Sequence, residues 1–424
     1  MSMVREVQQR LQEKGVPVFP DDLATGIDVG QSRHEVAMAR GDGLFLGRRM
    51  TVHSRAGLEG LYRDLEELRS KYGLKRVVVG LEPTGPYAKV LVYHLQRRGF
   101  LVVLLNPLVV RRSREAEDLT RGKTDRKDAR IILRLVREGK GRLPEVLLSP
   151  YDEGRALARE HGELISSRSR LKNRLWSLLQ VVFPEYTLAF KDILGKTSRA
   201  ALSTTFLPEE IDRLGPEGFW SSVRQSGGRW LARRKVLFLY QLAKDSIGVP
   251  GQGYRKAEVR RLLERLKAVE GQIGEIEGKL IQVMGAEETV ARMATVPGVG
   301  LKTASLLAGH AGDIRRLNSG KELVKLAGLD PMPNQSGKKQ GKGAISRRGR
   351  AGLRLTLYQT AWAVIRVLPQ FRAYYWHLRT RPNNPLEPDQ ALAAVANKLG
   401  RVAYMVAVGK EPFRAELVAW GSCM

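Results

Sequence analysis

The first clear pattern along the chain is Leu23-Ala24-Thr25-Gly26-Ile27-Asp28-Val29-Gly30, a short apolar run closed by a glycine turn. Polar and apolar residues alternate from His34 to Ala39, and a third strand-like piece runs near Leu44–Val52. A period of two turns one face toward a core, so these segments predict strands. Residues 57–72 switch to helical spacing, with Leu58, Leu61, Leu65 and Leu68. Val77-Val78-Val79-Gly80-Leu81 is the β-branched run of a strand buried on both faces. Gly85-Pro86 breaks it, a helical stretch reaches about Arg98, and Leu101–Leu105 predicts another buried strand. Strands alternating with helices predict an α/β domain with a mixed sheet over residues 22–145.

The middle of the chain, residues 150–287, reads differently. Residues 154–182 predict a long basic helix. Residues 254–285 carry Val259, Leu262, Leu266, Val269, Ile273, Ile276, Leu280 and Val283 in alternating steps of three and four, the spacing of a coiled-coil seam. The earlier helix approximates that spacing through Leu157, Leu164, Leu171, Leu175, Leu178 and Val182, but His161 and Arg168 interrupt it. The pattern allows pairing within one chain or a seam between chains and does not choose. Gly248-Val249-Pro250-Gly251-Gln252-Gly253 marks the break before the second helix. From 288 to 424 small residues and glycines interleave with Lys and Arg, predicting a third, mostly helical domain. Trp362, Tyr374, Tyr375 and Trp376, at helical spacing, read as core residues rather than as surfaces for stacking bases.

Charge narrows the partners. The 424 residues carry 72 Lys+Arg against 44 Asp+Glu, a net +28, and a surplus of that size in a globular composition points to a polyanion, most often nucleic acid. No run of 18 apolar residues is present, so no membrane span is expected. The N-terminal MSMVREVQQRLQEKG has no apolar core of a secretory signal. The lone Cys423 excludes a disulfide framework and a cysteine zinc site. The expectation is a cytoplasmic nucleic-acid-binding protein.

Four carboxylates stand out. Asp28 lies in the first predicted strand and Glu82 at the end of the 77–81 strand. A carboxylate leaving a buried strand must face a cavity, a metal or a partner, because burying it unpaired costs several kcal/mol. Lys123-Thr124-Asp125-Arg126-Lys127-Asp128 reads as a helix start with Thr124 as N-cap, which sets Asp125 and Asp128 side by side at i and i+3. An acidic cluster of this size is balanced by Mg²⁺ or Mn²⁺, whose preferred ligands are hard oxygens. A pair of such ions is a common arrangement for phosphodiester chemistry.

Gly26-Ile27-Asp28-Val29, Leu81-Glu82-Pro83-Thr84-Gly85 and Lys123-Thr124-Asp125-Arg126-Lys127-Asp128-Ala129 resemble the DEDD transposases of bacterial insertion sequences, the insertion-sequence-110 type. The resemblance extends over nearly the whole chain. It implies a RuvC-like, ribonuclease-H-type fold for the N-terminal domain, with Asp28, Glu82, Asp125 and Asp128 as the metal-binding catalytic tetrad.

Two C-terminal motifs bear on nucleic acid. Val296-Pro297-Gly298-Val299-Gly300-Leu301-Lys302 resembles the turn of a helix-hairpin-helix. Backbone N–H groups at Gly298 and Gly300 would then lead into a helix N-terminus, a seat for phosphate to which Lys302 adds a charge. Gly328–Arg354 carries seven Lys/Arg, including Lys338, Lys339, Lys342, Arg347 and Arg348, against the single Asp330. Ser336 sits in this stretch, read as a loop, with no histidine beside it to act as a base. The spacing GLxPxxxxSGxxxGxxxIxxxGxxxLR is similar to the transposase domain of the same family, and this resemblance implies that Ser336 is the nucleophile that attacks DNA. It further implies strand transfer through a serine–DNA intermediate, donor and target DNA as substrates, a guide RNA encoded by the element and assembly as a dimer or tetramer. In the family the acidic site and the serine meet between protomers. The basic stretches 111–142 and 155–174 are then candidate RNA and DNA surfaces, or simply solvated helix faces. Two rival readings share the acidic residues: a junction nuclease that uses water and leaves Ser336 idle, and a binding protein without activity.

Overall fold

The computed structural model describes residues 15–83, 85–117, 125–144, 149–227, 230–336 and 339–418, with side chains at 117, 125, 126, 333–336, 339–343 and 417 excepted. It divides into two compact units, Met1–Val146 and Leu147–Met424.

The first unit is built on a five-stranded sheet of β1 (Asp22–Val29), β2 (Arg33–Arg40), β3 (Phe45–Val52), β4 (Arg76–Leu81) and β5 (Leu101–Leu104), in the order β3-β2-β1-β4-β5. β1 to β3 pair antiparallel, whereas β1 runs parallel to β4 and β4 to β5. Among the described residues, four helices accompany the sheet: α1 (Arg55–Lys71), α2 (Gly85–Arg97), α3 (Pro107–Glu117) and α4 (Asp125–Arg137). The central strands are apolar on both sides because both faces are covered. Leu23, Ile27, Val77, Val79 and Leu81 pack with Leu61 and Leu65 of α1 and Leu91 of α2. The alternate residues Ala24, Val78 and Val103 pack on the other face with Ala129, Ile132, Leu133 and Val136 of α4.

The second unit is helical: α5 (Tyr151–Val182), α6 (Tyr186–Ala189), α7 (Lys196–Thr204), α8 (Pro208–Gly227), α9 (Arg233–Lys244), α10 (Arg255–Met284), α11 (Glu288–Met293), α12 (Leu301–Ala311), α13 (Gly320–Ala327), α14 (Ala351–Val367), α15 (Pro369–Thr380) and α16 (Pro388–Val408). α5 and α10 pair within the chain and run antiparallel. His161 Nε2 lies 3.2 Å from Glu277 Oε1, and Arg168 Nε donates to Glu270 Oε1 at 2.9 Å. Gly154 abuts Met284 one heptad further on. Gly154, His161 and Arg168 thus advance by seven as Met284, Glu277 and Glu270 retreat by seven. Both residues that interrupt the apolar seam of α5 meet carboxylates of α10 with their polar heads.

Each end of this helix pair enters a different core. Ala158, Leu280 and Met284 join one that also holds α11 to α16. Leu175, Leu178, Leu262 and Leu266 join the other, around Phe183, Tyr186, Phe206 and Phe219. α16 is long and apolar enough to cross a membrane by length and composition. Its Leu392, Val395, Leu399, Val402 and Val406 are nonetheless buried, which makes it the central helix of the first of these cores.

Two features depart from expectation. The glycine- and lysine-rich stretch forms a hairpin, with β6 (Pro331–Ser336) antiparallel to β7 (Lys339–Ile345). Backbone pairing supplies there what side-chain propensity does not. Trp362 and Trp376 are 44% and 56% exposed, whereas Tyr375 is buried. Leu353, Leu357, Ala361 and Val364 occupy the inner stripe of α14, so Trp362, one position past Ala361, points outward.

Candidate active site

The register of the sheet places two of the four carboxylates. Ile27 of β1 stands opposite Leu81 of the parallel β4. Asp28 and Glu82, each one residue further on, therefore leave the carboxyl ends of adjacent strands. Alternation assigns their face: Ala24 and Val78 share parity with Asp28 and Glu82 and belong to the core under α4. Both residues are half-buried.

The direction of α4 brings the other two to the same end. A Cβ on Gly26 would run into Leu133 N and Ala129 O, and one on Gly80 into the Val136 side chain, so α4 lies directly on these two glycines. Arg137, in its last turn, donates to Gly41 O, and Gly41 N–H donates to Asp22 O at the start of β1. α4 therefore runs opposite to β1, and its first turn, with Asp125 and Asp128, comes over the strand ends where Asp28 and Glu82 emerge. Asp125 begins the helix, as the sequence predicts. Its side chain, Thr84 and the proposed N-cap Thr124 lie outside the described residues.

Asp128 is buried at 2% exposure, and its charge is answered by Arg114 of α3. Arg114 Nε donates to Oδ1 at 2.6 Å and Nη2 to Oδ2 at 2.8 Å, the parallel two-bond geometry of a guanidinium on a carboxylate. Sequence reasoning passes over Arg114, one of many cations in a basic segment. Among the described residues no three His, Cys, Asp or Glu side chains converge as metal ligands. The donor set on this face is nonetheless all carboxylate, the set that suits Mg²⁺ or Mn²⁺.

On the opposite face of the same strand ends lies a histidine pair. His34, opposite Val29 and 1% exposed, places Nε2 2.9 Å from Nδ1 of His53. The His53 ring meets Tyr87 edge to face at 5.4 Å. Burial, reinforced by His53, pushes His34 down to about 4, so its imidazole is neutral near pH 7.

The remaining sequence candidates belong to the second unit. Ser336 ends β6 and pairs with Lys339; the side chains of Ser336, Lys339 and Lys342 are outside the described residues, as is Lys338 altogether. Gly298 has φ +91°, a turn that favours glycine, and a Cβ there would press on Val364 at 3.2 Å. Gly300 caps α12, and Lys302 in its first turn pairs with Glu277 of α10 at 3.1 Å. Arg347 has φ 51° and its N–H donates to Gly328 O. Arg348 is exposed.

Comparison with known proteins covers both regions. A family model described as Transposase, of the DEDD IS110 type, matches residues 25–184, and one described as Transposase IS116/IS110/IS902 family matches 290–376. An insertion element IS116 uncharacterized 44.8 kDa protein of Streptomyces clavuligerus is 26% identical over 394 residues, covering 89% of this chain and 92% of its own. An insertion element IS110 uncharacterized 43.6 kDa protein of Streptomyces coelicolor is 27% identical over 368 residues, 84% and 87% of the two chains. The transposase for insertion sequence element IS1328 of Yersinia enterocolitica is 37% identical over 154 residues, 34% of this chain and 45% of its own. With the acidic residues at one end of the sheet in the first matched region and the hairpin of Ser336 in the second, the chain belongs to the IS110-type transposases, the DNA strand-transfer enzymes of insertion sequences.

Proposed function

We propose that this transposase joins DNA ends through a covalent serine intermediate, with Asp28, Glu82, Asp125 and Asp128 as its acidic centre. The observation that carries the reading is the convergence of Asp28, Glu82 and the first turn of α4 on one face of a sheet ordered β3-β2-β1-β4-β5. We read that sheet as RuvC-like, residues 150–287 as a helical region whose α5–α10 pair is an antiparallel coiled coil, and 288–424 as the transposase domain. Asp28, Glu82, Asp125 and Asp128 would hold Mg²⁺ or Mn²⁺, which when bound supplies Lewis acidity toward phosphate oxygens.

The chain's own part is nucleophilic. The Ser336 hydroxyl forms an O–P bond as a phosphodiester bond of the DNA breaks, losing its proton to solvent and releasing one strand end. A hydroxyl of a second DNA end then displaces Ser336, so the number of phosphodiester bonds is conserved. The Gly298–Gly300 turn with Lys302, and Lys338, Lys339, Lys342, Arg347 and Arg348 around the hairpin, hold backbone phosphates without reading sequence. Sequence choice then falls to a guide RNA encoded by the element, and the working form is a cytoplasmic homo-oligomer.

The test is a denaturant-resistant protein–DNA adduct. Wild type with Mg²⁺ and substrate DNA forms it; Ser336→Ala does not, although it still binds DNA. Cleavage by Ser336→Ala without an adduct would overturn the serine assignment in favour of a nuclease using water. Sequencing RNA that copurifies with the protein tests the guide: one discrete species encoded beside the gene is expected, and random host fragments would overturn it.

A further inference from the structure

From Pro331 to Leu386 the chain carries eleven Lys and Arg and no Asp or Glu. Within this acid-free stretch, α14 and α15 expose two tryptophans on a shared surface. The Trp362 and Tyr375 ring centroids are 6.5 Å apart, and those of Tyr375 and Trp376 5.5 Å. Tyr375 is only 8% exposed and wedges between the two, whereas Trp362 and Trp376 show about half their surface. Gln359 and Arg366 flank Trp362 on the exposed stripe of α14. Arg372 ties the helices together by donating to Ile365 O and Arg366 O.

Two half-exposed indoles held over a buried ring are rigid, apolar and sequence-tolerant, which is what an unstacked base requires. The surrounding charge selects the occupant. A second copy docking through the same surface would bring another predominantly basic face against this one, since Asp389 is the carboxylate that α14 meets here, through Tyr358. A nucleic acid strand supplies aromatic faces and phosphates together. We propose that Trp362 and Trp376, supported by Tyr375, form a stacking platform for unpaired nucleobases, with Arg366 holding the adjoining phosphate. The inference rests on the reading of the chain as a nucleic-acid enzyme and adds a single-strand site to it.

The probes are short oligothymidylate, the matching ribo-oligomer and an abasic oligomer of the same length and charge, each titrated by fluorescence anisotropy against the full-length protein. Wild type should prefer the base-bearing strands to the abasic one. Trp362→Ala and Trp376→Ala should each lose about tenfold or more on base-bearing strands while binding the abasic strand as before. Arg366→Gln should instead weaken all strands and flatten the salt dependence. The ratio of deoxy to ribo binding identifies the strand served. Equal losses on abasic and base-bearing strands would overturn the platform. So would unchanged binding accompanied by a changed sedimentation coefficient, which would make the patch a contact between copies. If these results fail while the Ser336 adduct still forms, the platform alone is wrong; if neither DNA binding nor adduct is seen, the enzyme reading falls with it.

Discussion

Arg114 on α3 holds both carboxylate oxygens of the buried Asp128 on α4, at 2.6 and 2.8 Å. A guanidinium and a divalent cation compete for the same oxygens, so on the proposed metal role of Asp128 this ion pair would oppose metal binding. Arg114 is the counter-ion of Asp128.

Replacing Arg114 with Met separates its two effects. Removing one partner of a buried pair leaves Asp128 uncompensated, which should cost about 3 kcal/mol of stability in the absence of metal. Mn²⁺ affinity by calorimetry should rise, and saturating Mn²⁺ should recover part of the lost melting temperature. Weaker Mn²⁺ binding by the variant would mean that Arg114 shapes the site for metal rather than competing with it.

Gly26 sets the seat of α4. A Cβ there meets backbone atoms of Leu133 and Ala129, which cannot rotate away. Gly26→Ala should lower stability by about 2 kcal/mol through overpacking and should abolish strand transfer by lifting the first turn of α4 away from Asp28. Full activity together with a wild-type melting curve would show that the helix is not held this closely.

Stability should fall on mild acidification. His34 and, in the second unit, His310 are both pushed down to about 4, chiefly by burial and secondarily by the neighbouring His53 and His161. Each imidazole stays neutral in the folded chain and takes up a proton in the unfolded chain near 6.5. The unfolded state thus binds more protons between pH 6.5 and 4, and stability drops as pH falls through that window, by about 3 kcal/mol per histidine at its lower end. Melting temperatures measured from pH 7 to 5 should decline, and His34→Gln should flatten the decline for the first unit. A pH-independent melt in the wild type would contradict these assignments.

The placement of Asp28 beside Glu82 is legible because it rests on local pattern. The β-branched 77–81 run and the apolar 23–29 run predict strands, and their register alone sets Glu82 beside Asp28. Arg114 was not legible: its choice of Asp128, fourteen residues on, follows from how α3 and α4 pack and not from spacing. The His34–His53 contact likewise joins β2 to the end of β3 through sheet register. The hairpin of Ser336 was missed because glycine and lysine carry little strand propensity, and the exposure of Trp362 because aromatic residues at helical spacing mimic a core stripe.

Gly154 seats Met284 where α5 crosses the end of α10. Any side chain there would strike Met284, and sliding the helices by one repeat, about 10 Å, would press His161 onto Met284 and take Arg168 from Glu270 to Glu277. The Gly154, His161 and Arg168 contacts thus all favour this one register. The core around α6 to α9 at one end and the core of α11 to α16 at the other are thereby held a set distance apart.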